Sequence, residues 1–213
     1  MNIQNKSSKN SLEFKSIDYQ LQPYTNPELI KENGPQVFRS GSGVEVKDID
    51  GNSYIEGMSG LWCASLGFSE IELVEAAITQ MKKLPFYHSF TGKTCESTIN
   101  LSEKLIEIAP NNLKKIFFCN SGSEANDTAI KIVWYYHASL GNPQKRKIIS
   151  RKGSYHGVTL AAASLTALDY AQRGFGLPLD FALHTTWPHY FQNSKENESE
   201  KDFCNRLVSD LEK

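Results

Sequence analysis

The stretch Phe117-Phe-Cys-Asn-Ser-Gly-Ser-Glu-Ala-Asn-Asp127 decides how this sequence is read. An apolar run, Ile116-Phe117-Phe118, stops at Asn120-Ser121-Gly122-Ser123, and a helical pattern starts at once. Those residue types predict a strand, a turn of small residues and a helix. The first N–H groups of a helix lack internal partners, and the helix dipole puts its positive end on them. Small residues let an anion approach and two hydroxyls add donors, so the turn has the makings of a phosphate site. Ser and Asn in these places also cap ordinary helices. The motif alone leaves both readings open.

Outward from this turn, strands and helices alternate. Val44 to Asp48 alternates apolar and polar residues, and Asp50-Gly51-Asn52 precedes Tyr54-Ile55, which predicts a β-hairpin. Ser69-Glu-Ile-Glu72 reads as a capping box for a helix with Ile71, Val74, Ile78 and Met81 on one face. A second helix is expected from about Thr94 to Ala109, closed by Pro110. Lys115 to Cys119 reads as a buried strand. Ala125, Ala129, Ile132, Val133 and Tyr136 mark the third helix, which Gly141-Asn142-Pro143 stops. Lys147 to Ser150 is the next strand. This order predicts an α/β fold with βαβ units on a largely parallel sheet. Asn193 to Glu200, polar and charged, is expected to be an exposed loop, and Met1 to Ser16 a frayed tail.

Composition narrows the function. The 213 residues carry a net charge of −1, which gives no electrostatic case for nucleic acid or an anionic membrane. The longest near-apolar run, Val158 to Leu168, is too short to span a bilayer. The N-terminus lacks the apolar core of a secretory signal. Cys63, Cys95, Cys119 and Cys204 show no paired spacing, so neither a zinc site nor a disulfide framework is expected. Reduced thiols fit a cytoplasmic protein.

A second chemical feature, Gly153-Ser154-Tyr155-His156-Gly157, follows the Lys147–Ser150 strand. Open α/β sheets place ligands at the carboxyl ends of their strands. The Ser121–Ser123 turn occupies the same end of the preceding expected strand. An aromatic ring beside a phosphate turn can stack on a planar cofactor.

Asn120-Ser-Gly-Ser-Glu-Ala-Asn126 followed by Ser154-Tyr-His-Gly157 resembles the class III aminotransferases, which use pyridoxal 5′-phosphate (PLP). Asp48-Ile-Asp-Gly-Asn52, Gly60-Leu-Trp-Cys63 and Gly67-Phe68 resemble the branch that acts on ω-amino acids and amines, often with pyruvate as acceptor. The likeness runs from about Tyr24 to Pro188. It implies a PLP-transferase type I fold: a largely parallel sheet flanked by helices, with residues 67–213 an N-terminal portion of the large PLP-binding domain. Residues 1–66 would be a tail and the first part of a small α+β domain. It implies that Ser121, Gly122 and Ser123 hold the PLP phosphate, that Tyr155 stacks on the pyridine ring and that His156 sits beside it. Leu61 and Trp62 match residues lining the substrate pocket. Tyr24 and Phe90 fall where the family places further pocket aromatics, Phe90 facing a neighbouring subunit's site in a homodimer. The implied partners are a small amino donor and a keto-acid acceptor, and no metal is expected.

One departure from the family bears on catalysis. Its Schiff-base lysine, the Asp that pairs with the pyridine nitrogen and the Arg that takes a substrate carboxylate have no match within these residues. Lys131, Lys145, Lys147 and Lys152 read as solvated surface charges. No catalytic residue is therefore assigned, and the chain is expected to be an N-terminal fragment that is inactive alone. Phe203, Leu207, Val208 and Leu211 form an apolar stripe on a helix that ends uncapped, in keeping with that expectation. Another PLP reaction on the same fold (an aminomutase, racemase or decarboxylase) or a non-catalytic relative stays open beside amino transfer.

Overall fold

A computed structural model describes residues 9–212. The chain divides into two compact units, Met1–Thr98 and Ile99–Lys213. Among the described residues no helix is long and apolar enough to cross a membrane, and the four cysteines are unpaired.

The first unit opens with α1 (Leu12–Tyr19), whose N-cap Ser11 accepts a hydrogen bond from the Phe14 N–H. The tail expected to fray as far as Ser16 is therefore helical from Leu12. Its first eight residues lie outside the described ones. In α2 (Pro27–Asn33), Asn26 caps, Pro27 opens the first turn and Gly34, at φ 78°, leads out. Strands β1 (Phe38–Ser42), β2 (Glu45–Asp48) and β3 (Ser53–Ile55) form an antiparallel sheet in that order. The predicted hairpin is β2–β3, with Val46 opposite Tyr54. Its turn is organised by the Asp48 carboxylate, which accepts from the N–H groups of Asp50 and Asn52, the Asn52 amide and the Tyr54 hydroxyl at 2.8–3.0 Å.

A short turn, α3 (Ser59–Trp62), leads to α4 (Ile71–Lys83). The capping box expected at Ser69 does not form. Glu70 is the N-cap, no side chain caps it, and the Ser69 hydroxyl donates to the Gly41 carbonyl at 2.7 Å. The neighbouring main chain explains this. Gly43 and Phe68 exchange two backbone hydrogen bonds, which draws Ser69 towards β1 and away from the helix axis. Helix α5 (Glu96–Ile108) follows within the expected range and runs into the second unit.

The second unit holds α6 (Gly122–Ser139), β4 (Ile148–Arg151), α7 (Leu160–Leu165), α8 (Asp169–Gln172), β5 (Ala182–Thr185), α9 (Tyr190–Asn193) and α10 (Glu200–Glu212). Strands β4 and β5 are parallel, with Ile148 opposite Ala182 and Ser150 opposite His184, and α7 packs on both. The core is Ile130, Leu165 and Ala182, with Trp134, Ile148, Ala161 and Phe181 around it. The Trp134 ring meets Phe181 edge-on at 5.2 Å, and its indole N–H donates to the Arg146 carbonyl.

One expectation is corrected here. The Lys115–Cys119 run forms no strand among the described residues, and Phe117 and Phe118 are exposed. An apolar run becomes a strand only where a neighbour supplies ladder hydrogen bonds. The third helix is present as α6; its buried side carries Ile130 and Trp134 with Asn126 and Asp127 before them, and Ile132, Val133 and Tyr136 are exposed. The segment between α9 and α10 is a largely exposed loop, as expected, and side chains fasten it. Arg206 on α10 pairs with the Glu198 carboxylate at 2.8 Å and donates to the Asn193 carbonyl, while the Tyr190 hydroxyl donates to the Glu198 carbonyl.

Candidate functional site

The turn singled out in the sequence begins α6. Ser121 is the N-cap, with φ −152° and ψ 161°, and its Oγ accepts from the Glu124 N–H at 3.1 Å. The Glu124 carboxylate reaches back to accept from the Asn120 N–H at 2.8 Å. This is a reciprocal capping arrangement of the Ser-x-x-Glu kind, shifted outward by one residue, and the sequence signal for it lay in plain view. Ser123 is used differently. Its Oγ accepts from the Val158 N–H at 3.0 Å, tying the turn to the loop after β4.

The chemical consequence follows from counting donors. A serine hydroxyl accepts through its lone pairs and donates through one proton. Both hydroxyls accept from backbone N–H groups, so both protons remain to be donated. Among the described residues the N–H groups of Gly122 and Ser123 meet no protein acceptor. A Cβ built on Gly122 would touch nothing within 4 Å, so the approach is open. Two O–H and two N–H donors at the positive end of an eighteen-residue helix suit a phosphate group.

The loop carrying Tyr155 and His156 is fastened to this turn. Asn126 on α6 donates through Nδ2 to the His156 carbonyl at 2.6 Å. Asp127 accepts at 2.8 Å from the Thr159 hydroxyl and at 2.9 Å from the Ala162 N–H, at the start of α7. From the other side, the fully buried Thr166 accepts from the His156 N–H at 2.8 Å and donates to the Gly157 carbonyl at 3.0 Å. Gly157, at φ 127°, lies so close that a Cβ there would stand 2.5 Å from Ser123 Oγ. Held this way, Tyr155 remains 54% exposed, as a residue that stacks on a ligand ring must be before the ligand binds. The structure thus brings together Ser121, Gly122, Ser123, Tyr155 and His156. It adds Asn126, Asp127 and Thr166, which sequence reasoning passed over.

The other residues singled out in the sequence, Tyr24, Leu61, Trp62 and Phe90, lie in the first unit, on three separate segments. Tyr24 sits between α1 and α2 at φ 51°, and Phe90 lies between α4 and α5, exposed. Leu61 and Trp62 lie in α3, which is not a right-handed helix. Ser59, Gly60, Leu61 and Trp62 have φ of 50°, 58°, 57° and 68°, with ψ of 42° and 53° at the central pair. The turn is left-handed and closed by its own bonds, from Trp62 N–H to the Met58 carbonyl at 2.8 Å and from Cys63 N–H to the Ser59 carbonyl at 2.9 Å. Such backbone costs roughly 1–2 kcal/mol for each residue with a Cβ. Leu61 and Trp62 are 60% and 76% exposed, so burial of their own side chains does not offset that cost.

The lysines stand as expected. Lys131, Lys145 and Lys152 are exposed, and Lys147 donates to the Asp180 carbonyl. Among the described residues no cluster of His, Cys, Asp and Glu could hold a metal ion.

Comparison with known proteins shows the family. Residues 30–213 match the aminotransferase class-III family. Vanillin aminotransferase of Capsicum frutescens is 48% identical over 179 residues, covering 84% of this chain and 39% of that protein. Mitochondrial gamma-aminobutyrate transaminase 1 of Oryza sativa subsp. japonica is 45% identical over 193 residues, covering 90% and 37%. The crystal structure of an omega transaminase from Pseudomonas jessenii in complex with PMP superposes with a TM-score of 0.93 at 52% identity, covering 95% of this chain and 45% of that one. The chain therefore spans less than half the length of these relatives, and over that part it takes the mixed α/β fold of PLP-dependent transaminases. It belongs to the class III aminotransferases.

Proposed function

We propose that this chain supplies the phosphate cradle, the ring platform and part of the amine pocket of a PLP-dependent aminotransferase. The reaction moves an amino group from a primary amine or ω-amino acid to a keto acid such as pyruvate, in a homodimer. The observation that carries the proposal is the four-donor turn at Ser121–Ser123 fastened to the loop of Tyr155 and His156.

The residues fit the cofactor. The hydroxyls of Ser121 and Ser123 and the N–H groups of Gly122 and Ser123 would hold the phosphate, Tyr155 would stack on the pyridine ring and His156 would sit beside it. When bound, PLP supplies an electron sink that eases proton loss and return at the substrate carbon. Leu61, Trp62, Tyr24 and Phe90 give an amine apolar and aromatic walls, which exclude water and orient its chain. Binding energy gathered at the phosphate and the ring fixes the reacting end in place, the usual use of remote contacts. Lys131, Lys145 and Lys152 are exposed surface charges, and Lys147 is bound to the Asp180 carbonyl. Proton transfer by a lysine therefore falls to residues outside this span, and the 213 residues alone are proposed to bind PLP without turnover.

The test is an amine–pyruvate assay on the full-length enzyme and on residues 1–213. Alanine production by the full-length enzyme, with none from the 213 residues, supports the proposal. Equal turnover by both contradicts the assignment of the base. PLP binding without amino transfer in the full-length enzyme would move the activity to another PLP reaction.

A further inference from the structure

The left-handed turn Ser59–Trp62 needs an explanation. Strained backbone persists only where its surroundings over-determine it. The turn's hydrogen bonds close it without choosing its hand, and the exposed side chains of Leu61 and Trp62 do not hold it by burial. Gly60 accounts for one of four positive φ angles; Ser59, Leu61 and Trp62 carry side chains.

The neighbour that does choose is Glu56. Its main chain is fixed to the sheet, its N–H donating to the Val44 carbonyl at 2.9 Å just beyond β3. Its carboxylate then reaches forward along the chain. Oε1 accepts from the Met58 N–H at 3.0 Å, and Oε2 accepts from the Gly60 N–H at 2.5 Å. One carboxylate therefore grips the residue before the turn and the second residue within it, each by a separate oxygen. Bonds to an ionised acceptor are stronger than neutral ones. Two of them, anchored on a strand, fix the direction in which the chain enters the turn.

We propose that Glu56 is a positioning residue for the amine pocket, its two-oxygen grip holding the Ser59–Trp62 turn left-handed and so aiming Leu61 and Trp62. This rests on the reading of Leu61 and Trp62 as walls of that pocket. It assigns Glu56 a part in substrate specificity, through Leu61 and Trp62, and none in the hydrogen bonds that fasten the Ser121–Ser123 turn to the Tyr155 loop. A rigid, strained turn keeps the two side chains in one arrangement although solvent surrounds them. A relaxed turn would let Trp62 sample several, and an amine would meet a pocket of undefined width.

Glu56→Gln tests the proposal sharply. The amide keeps the size and one acceptor, but it presents an NH2 group where the second N–H needs an acceptor. Hydrogen exchange read by mass spectrometry on residues 1–213 is expected to speed up about tenfold or more across 58–64 in this variant. Exchange across β1–β3 should stay unchanged. In the PLP-loaded full-length enzyme the same variant is expected to raise the amine KM at least fivefold, with a smaller change in kcat and none in PLP affinity. Trp62→Ala serves as the reference for the pocket. Unchanged exchange at 58–64 in Glu56→Gln overturns the grip. Faster exchange with an unchanged amine KM, where Trp62→Ala does shift it, overturns the role in specificity. An amine KM that neither variant moves overturns the pocket reading itself, and the proposal with it.

Discussion

Asn126 and His156 are thirty residues apart in sequence and joined at 2.6 Å, the Asn126 amide donating to the His156 carbonyl. This bond, with Ser123 to Val158 and Asp127 to Thr159 and Ala162, makes the first turn of α6 and the Tyr155 loop a single framework. The Ser121–Ser123 turn and the Tyr155 loop are therefore not independent. Disturbing one side of the framework shifts the other.

That coupling yields the first prediction. Asn126→Ala leaves the His156 carbonyl without its partner, and Thr166→Val leaves both the His156 N–H and the Gly157 carbonyl without theirs. An unsatisfied buried polar group costs about 1–3 kcal/mol. Each variant should lose stability by that order in chemical denaturation, Thr166→Val the more, and each should bind PLP less tightly. Thr166→Ser, which keeps the hydroxyl, should recover most of both. Full PLP affinity in a destabilised Thr166→Val would separate the framework from the site.

Two glycines separate stability from binding. A Cβ at Gly122 meets nothing, and alanine suits a helix better than glycine by about 1 kcal/mol. Gly122→Ala should fold as well as the parent or better, yet bind PLP more weakly because the methyl narrows the anion's approach. At Gly157 a Cβ would collide with Ser123 and Ala162 at a φ that L-residues avoid. Gly157→Ala should lose both stability and PLP affinity. Thermal melts with PLP titrations distinguish the two patterns, and equal behaviour of the two variants would count against the site geometry.

Tyr155 is exposed on the loop after β4. Tyr155→Ala should weaken PLP binding by roughly 1–3 kcal/mol through lost stacking and buried area. Tyr155→Phe should cost much less. Equal losses would assign the effect to the hydroxyl.

The Glu198–Arg206 pair gives the second unit an acid limit. The side-chain hydrogen bond from Arg206, and after it the Lys195 N–H, hold the Glu198 carboxyl at about 2, below its ordinary 4.5. A carboxyl lowered in the folded state stabilises fully above its unfolded value and loses that contribution as pH falls through the folded one. The stabilisation should be intact above pH 4.5 and vanish between about 4.5 and 2. Glu198→Gln should flatten unfolding stability against pH across that window. An unaltered acid limb in the variant would remove the pair from this role.

What the sequence revealed depended on how local each cause is. The β2–β3 hairpin was legible because Asp50-Gly51 fits its turn, and the start of α6 because Ser121 and Gly122 act within four residues of themselves. Asn126, Asp127 and Thr166 were not legible. They are polar, they look like solvent-facing helix or loop residues, and the partners that give them meaning stand 9 to 35 residues away. Helix α6 itself was legible from its apolar residues, but its buried side was not: that side begins with Asn126 and Asp127, which hydrophobic spacing ignores. The left-handed turn was hidden because Ser-Gly-Leu-Trp contains one glycine, and its hand follows from hydrogen bonds to Glu56 that no periodicity announces. The Lys115–Cys119 run was misread because an apolar run does not specify its strand partner.

The central claim is that the Ser121–Ser123 turn holds the phosphate of PLP, and comparing PLP with pyridoxal, which lacks that phosphate, tests it most directly. Residues 1–213 are titrated with each compound, and binding is followed by the circular dichroism induced in the ring. The account predicts saturable binding of PLP, with pyridoxal weaker by at least tenfold and Ser121→Ala with Ser123→Ala removing most of that difference. Equal affinity for PLP and pyridoxal in the parent chain would contradict it.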